Sequence, residues 1–411
     1  MKNAISVLIF SLCIIKSDAQ IISLDSVLIA VENNHPLLES YQYKIQAADA
    51  MAEGARSWMP PRIEAGVDMI PYNFGMTEHS QLAAGVVAVE QDFPNFKLLD
   101  AKENYLRSMS AIDLAMSGME KNDLFSMAKE AYYMRFVSEK TIALIIEQME
   151  ILKSIIQISE AHLAYGQSDL QSIYKAKANL ASLEAALIDE QSSINQANVV
   201  LNYLMSRELN SAFEIDTSLE LNKSLLSDFY TAENLSSSRS SIQVFDKSIS
   251  TLKLNQDVAR AQTRPVFGIR LEHYTMFDQT NNFSLMGMMT IPIGRWSKAE
   301  FRAEDKSIGL NVQALELQKQ NAVNEALQNV SLNQIRFQAE VNAMEKYQNE
   351  VLPAYRKYFE VNYLAYQQNT GMLIETIFAF NDWQMAQMEY LDHLMLAFQY
   401  QAALEQELQI R

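Results

Sequence analysis

Between Ile142 and Leu204 the apolar residues fall into heptad lines on either side of a glycine turn. Ile142, Ile145, Met149, Leu152, Ile156, Ser159 and Leu163 are spaced by alternating threes and fours, a helical seam with one polar lapse. Leu144, Ile151, Ile155 and Ile158 form a second line beside it. A helix with two adjoining seams contacts a neighbour on each flank, as a stave does in a barrel. After Gly166, Ile173, Leu180, Leu187, Ile194 and Leu201 recur every seven residues. Ala176, Leu183, Ala197 and Leu204 follow three behind, with Glu190 as the exception. The pattern predicts an antiparallel helical hairpin with coiled-coil packing.

Length limits what such a hairpin can do. From about Asn95 to Tyr165 the helix runs about 70 residues, or about 105 Å. A second long helix is expected from about Ser297 to Tyr366, with Pro353 kinking it or breaking it into two. The strand signals are shorter. Arg62, Glu64, Gly66 and Asp68 alternate with Ile63, Ala65, Val67 and Met69, and Arg270 and Glu272 alternate with Phe267, Ile269 and Leu271. Their expected partners are Leu82 to Phe93 and Phe283 to Ile291, each near the ~9–11 residues that a tilted strand needs to cross a bilayer. The alternation suits a barrel wall with lipid on one side and water on the other; it also suits an ordinary half-buried hairpin. Four strands cannot close a barrel, which takes about eight, so spanning strands would require several chains.

The two halves share one plan. Leu163-Ala164-Tyr165 recurs as Leu364-Ala365-Tyr366 at an offset of 201, Pro61 recurs as Pro265 at 204, and Pro94 recurs as Pro292 at 198. Each half reads helix, strand, strand, very long helix, turn, long helix. The expected division is a signal peptide at 1–19, a first repeat at 20–208, a connecting segment at 209–236 and a second repeat at 237–411.

Composition sharpens this picture. Only 11 Gly and 8 Pro occur, and no proline lies between Pro94 and Pro265. Lys2, the apolar stretch Ile5 to Ile15 and Ser17-Asp18-Ala19 read as a secretory signal cut before Gln20. That segment holds Cys13, the only cysteine, after bulky Leu12, where a lipoprotein signal would have a small residue. The mature chain therefore has no disulfide and no cysteine metal site. Removing Lys2, Lys16 and Asp18 makes the chain one unit more negative than the full sequence's −17. So acidic a surface disfavours nucleic acid and anionic headgroups. The mature chain has no run of 18 apolar residues, so any membrane crossing falls to the strands.

Candidate chemistry is sparse. The 21 methionines would suit soft metal ions, but they are scattered and also fill irregular cores. His35, His79, His162, His273 and His393 form no metal-binding pair, and His79 is expected in a strand loop. There is no phosphate loop, nucleophile elbow or cysteine nucleophile, so no catalytic residue and no cofactor is expected. Trp58, Trp296 and Tyr72 stand at strand ends, where interfacial aromatics belong.

Taken in order, several segments resemble the TolC-like outer-membrane efflux proteins along essentially the whole mature chain. They are Leu24 to Ala30 followed by Asn34-His35-Pro36-Leu37-Leu38; Ala55 to Pro61; Gln91-Asp92-Phe93-Pro94; Tyr165-Gly166 with Asp169-Leu170; and Leu201-Asn202-Tyr203-Leu204. No single motif is specific; their order and spacing are. The resemblance implies a mainly α chain with a small β part, trimerising into a 12-stranded β-barrel and a 12-helix α-barrel. It implies a homotrimer in outer-membrane lipid that extends into the periplasm of a Gram-negative bacterium. There it would be a passive exit duct, opened by a periplasmic adaptor and driven by an inner-membrane pump, exporting metal cations or small toxic compounds.

The implied adaptor contacts are the hairpin tips, Tyr165, Gly166, Gln167 and Ser168 in one half and Asn369, Thr370 and Gly371 in the other. The implied constriction matches Glu375, with Phe378 where a second acid is common, and Asp169 and Gln171 as polar candidates in the first half. The short chain, lean strand loops and Glu32 to Leu38 start look more like the heavy-metal-exporting branch. A periplasmic coiled-coil adaptor or tether without a barrel is the alternative. Its single hairpin would be flanked by β-rich halves, whereas here two strands precede each of two hairpins.

Overall fold

The computed structural model describes residues 21–70, 72, 83–163, 165, 169–226, 230–276 and 279–411. The expected signal peptide lies outside these residues, as do Gly166, Gln167, Ser168 and His79. The chain opens with a two-residue strand β1 (Ile21–Ile22), α1 (Leu24–Asn34) and α2 (Pro36–Gly54). Ser23 caps α1 by accepting from the Ser26 N–H, and His35 caps α2 ahead of Pro36 in the first turn. Strands β2 (Arg62–Asp68) and β3 (Ala84–Phe93) follow, then α3 (Phe96–Leu163), 68 residues without interruption. Asn95 starts α3 by accepting from the Lys97 N–H at 3.0 Å. The expected length of this helix is therefore met almost to the residue.

Helix α4 (Leu170–Leu204) runs back along α3. A connecting segment carries β4 (Glu214–Ile215), a 3-10 turn (Lys223–Leu226) and α5 (Ala232–Ser238). The second half then repeats the order with α6 (Ser240–Ala261), β5 (Val266–Met276), β6 (Asn282–Thr290), α7 (Ala299–Lys346), α8 (Leu352–Gln367) and α9 (Leu373–Leu408). Pro353 does not break the second long helix. A five-residue π-turn, Tyr347–Val351, joins α7 to α8 just before it. Proline lacks the N–H of an α-turn and crowds the preceding carbonyls, and widening the turn relieves both faults while the chain stays helical.

The four long strands form one antiparallel sheet in the order β2-β3-β5-β6, so the two halves meet at β3 and β5. Register puts Glu64, Ala88, Glu272 and Ser284 in one row, and Ile63, Val89, Leu271 and Leu285 in the next. One face is thus polar and the other apolar. On the polar face the Arg270 guanidinium bridges Glu272 at 2.7 Å, Glu64 at 2.9 Å and Glu90 at 3.1 Å, tying three strands together. On the apolar face Ile63, Val67, Val87, Leu271, Phe283 and Leu285 are all exposed.

The helices beside the sheet keep its order. Helix α2 packs on α3, α3 on α6 and α6 on α7. Each helix feeds, or is fed by, the strand in the same lateral position: α2 with β2, α3 with β3, α6 with β5, α7 with β6. Farther from the sheet, α3 is flanked by α4 and α9, and α9 by α7 and α8.

The core is a chain of three clusters. One gathers α1, β1 and β4 around Tyr132 and Phe136 of α3, with Leu201 of α4 and Phe398 of α9. A second fills the two hairpins with Ile145, Leu152, Ile173, Leu183, Ile377 and Phe380. A third joins Leu225 and Leu235 to Val330 and Phe337 of α7 and Leu404 of α9. Each such aliphatic side chain contributes about 1.5–3 kcal/mol through burial. The parallel pairing of β1 with β4 was not foreseen.

Candidate functional site

The two hairpins end close to each other in sequence logic but are finished differently. Asp169 caps α4, and both its carboxylate oxygens are engaged: Oδ1 accepts from the Ser172 N–H at 2.7 Å and Oδ2 from the Ser172 hydroxyl at 2.6 Å. These bonds, the side-chain one first, hold its carboxyl below the usual range. Asp169 is thus already employed in starting a helix. Gln171, two residues on, is exposed, and so is Tyr165.

In the second half α8 ends in a Schellman motif. Asn369 has the left-handed φ of 56°, its N–H donates to the Tyr366 carbonyl at 3.1 Å, and the Thr370 N–H donates to that of Ala365 at 2.9 Å. The Gly371 N–H also reaches the Ala365 carbonyl, at 3.1 Å. A Cβ at Gly371 would stand 3.0 Å from that of Ala365, so the close return of the chain calls for glycine.

Glu375 occupies the third position of α9, and its carboxylate reaches the Met372 N–H only at 3.5 Å. It is exposed, and it begins a line along α9: Glu375, Phe378, Asp382, Met385, Glu389 and Asp392, all exposed and spaced by threes and fours. Glu389 accepts from the Tyr347 hydroxyl of the π-turn at 2.5 Å, which raises the Tyr347 pKa. The opposite side of α9 buries Ile377, Phe380 and Trp383. Phe378 breaks the expected pair of acids, but Asp382 supplies the next one on the same line. A count of three and four from Glu375 would have found it.

Neutral links join the hairpins along their length. Tyr366 Oη donates to Ser159 Oγ at 2.9 Å, Asn179 Nδ2 to Asn381 Oδ1 at 2.8 Å, and Gln148 Nε2 to Gln387 Oε1 at 3.1 Å. Ser159, the polar lapse in the first heptad seam, is therefore the buried partner of a tyrosine 207 residues away. Such a pairing leaves no local signal in the sequence.

At the other end, Trp58 packs edge-on against Phe93 and Phe96 yet stays exposed, as do Trp296 and Tyr72. Among the described residues there is no group of three or more His, Cys, Asp or Glu side chains arranged to hold a metal ion, and no helix is long and apolar enough to cross a membrane.

No family model matches the sequence, and no curated relative matches it significantly. Solved structures do. The outer-membrane channel OprN aligns over 94% of this chain and 89% of its own with a TM-score of 0.77 at 14% identity. The outer membrane protein VceC of Vibrio cholerae covers 94% and 95% at 0.74 and 16%. The open state of the MtrE outer membrane channel of Neisseria gonorrhoeae covers 94% and 88% at 0.73 and 14%. The fold is that of these outer-membrane channels. A mainly α chain with a small sheet is the outer-membrane channel fold that the sequence resemblance implied. Identities this low and this even separate no branch of such channels.

Proposed function

We propose that three copies of this chain close into a passive efflux duct through the outer membrane and across part of the periplasm. The observation that carries the reading is the shared lateral order of strands and helices. Strands β2 and β6 are the free edges of the sheet, and α2 and α7 are the free edges of the helical layer beneath them. Joining β6 of one copy to β2 of the next keeps the antiparallel alternation and brings α7 against α2 in the same step. The exposed apolar face would then meet lipid, the Arg270 network would line water, and no unpaired edge would remain in the bilayer. The helical layer has a matching seam: Leu310 and Leu317 of α7 are 56% and 68% exposed, and Tyr43 and Met51 of α2 are 62% and 63% exposed.

In this assembly the line on α9 faces the axis, so Glu375 and Asp382 each contribute a ring of three carboxylates with Phe378 between them. Carboxylate rings attract cations and make a narrow aperture cation-selective. Tyr165 and the Asn369–Thr370–Gly371 turn stand at the far tips, where a periplasmic adaptor would dock and an inner-membrane pump would deliver metal cations or small toxic compounds. The duct performs no chemistry on its cargo. A barrel-less tether gains nothing from an apolar sheet face left exposed.

Outer-membrane fractions of an expressing strain should contain heat-modifiable trimers, and the purified trimer should conduct in single-channel steps in a planar bilayer. A monomer that stays soluble without detergent would overturn the proposal.

A further inference from the structure

A groove of about 590 Å³ lies between the first hairpin and the α7–α9 pair, near the end of the exposed line on α9. Met127 and Met134 of α3, Val200 of α4, and Met395 and Tyr400 of α9 make its apolar surface. The α3 residues that line it lie on the face opposite Tyr132 and Phe136, which pack against α1, β1 and β4. It therefore opens on the face that the connecting segment leaves uncovered, the same face that carries Asp392.

Two charges stand in the groove without pairing with each other. Glu130 projects from α3 with its side chain exposed at the groove's mouth, and no hydrogen bond or ion pair of its carboxylate is present among the described residues. Partial desolvation by its neighbours raises its pKa. Arg336 projects from α7 and lies over the Tyr400 ring at 5.8 Å, with no carboxylate partner among the described residues. Opposite charges that share a groove but do not meet are matched by a ligand that carries both complements. The methionines supply an adaptable apolar surface between them.

We propose that this groove is a binding site for small amphipathic zwitterions, molecules with an apolar or aromatic body that carries one ammonium and one carboxylate group. The ammonium would pair with Glu130, the carboxylate with Arg336, and the body would lie on the methionines and Tyr400. Its luminal position rests on the duct reading above, and the site would give one class of cargo a resting place partway along the exit path.

The probes are three dansyl compounds that differ in charge: ε-dansyl-lysine, a zwitterion; dansylcadaverine, a cation; and dansylglycine, an anion. Each is titrated onto the full-length trimer in lipid nanodiscs, with empty nanodiscs as the reference and single-channel conductance recorded on the same preparation. Dansyl-lysine should bind tightest with a blue-shifted emission. Glu130→Gln and Arg336→Gln should each weaken it about tenfold, the loss of one charge-assisted contact. Glu130→Asp and Arg336→Lys should hold it within a few-fold. Dansylcadaverine should respond to Glu130→Gln and not to Arg336→Gln. Equal binding of the three probes, or wild-type affinity in both neutral variants, overturns the proposal. Conducting trimers that bind none of them overturn it while leaving the duct intact. Non-conducting monomers overturn the duct, and the luminal site with it.

Discussion

The two long helices of this chain are near equals in length and opposites in burial. Helix α3 buries 21 side chains along its 68 residues, whereas α7 buries six and α8 only two. Both carry apolar stripes, so the difference lies in what surrounds them. Helix α3 is enclosed by α2, α4, α6 and α9 of its own chain. Helices α7 and α8 form a flank, with Leu310, Leu317, Tyr355, Tyr358, Val361 and Leu364 exposed. One helix is the spine of the chain; in the proposed trimer the other would be finished by a neighbour.

The sharpest way to break that contrast is to make the flank repel a neighbour. Leu310→Asp together with Leu317→Asp should abolish trimers outright, since two carboxylates cannot be buried without partners, while the helical circular dichroism of the chain stays unchanged. Trimers surviving on native gels would remove α7 from the seam.

The spine should fail in a different way. Lys129 of α3 and Glu405 of α9 form a pair at 2.6 Å with side chains only 3% and 8% exposed, and Lys129 also donates to the Ile410 carbonyl at 2.9 Å. Lys129→Met strands the carboxylate and should cost about 3–5 kcal/mol in denaturant unfolding. Lys129→Met with Glu405→Met should recover most of it. Tyr366→Phe removes the hydroxyl link to Ser159 and should cost about 0.5–1.5 kcal/mol.

Acid sharpens the contrast at the foot of the spine. His35 is buried, its Nδ1 accepts from the Leu37 N–H at 3.4 Å, and burial lowers its pKa against a weaker opposing pull from Glu120. The native state therefore favours the neutral ring. Its stability should be complete above pH ~6.5 and decline as pH falls below that value, by at most ~1.4 kcal/mol per unit. His35→Asn keeps a cap that does not titrate and should flatten the melting temperature between pH 7 and 5. The smallest effect is expected on the flank's partner helix. Glu375→Gln should leave stability within about 0.5 kcal/mol and lower cation selectivity in a planar bilayer.

The parts of this fold legible in the sequence are those set by local periodicity. The heptads of α3 and α4, the alternation in β2 and β5, and the glycine at the second tip each state their own structure within a few residues. The parts that were not legible depend on partners far along the chain. Ser159 looked like a flaw in a seam until Tyr366 met it, and Lys129 carried no sign of Glu405, 276 residues away. The β1–β4 pair is two residues long on each side and has no periodicity to read. At the candidate constriction, Glu375 and Phe378 could be named by resemblance. Separating Asp169, engaged in a cap, from Glu375, nearly free, took atomic distances.

The π-turn at Tyr347–Val351 sets the angular phase of everything after it. It holds one residue more than an α-turn for nearly the same advance along the axis. Deleting Gln348 would let the turn close to α geometry and keep Tyr355, Tyr358, Val361 and Leu364 on the side they now occupy, whereas closing the turn with all five residues retained would swing them by about 100° around the helix. The aromatic side of α8 would then point away from the face it now holds, although every one of its residues would still be present.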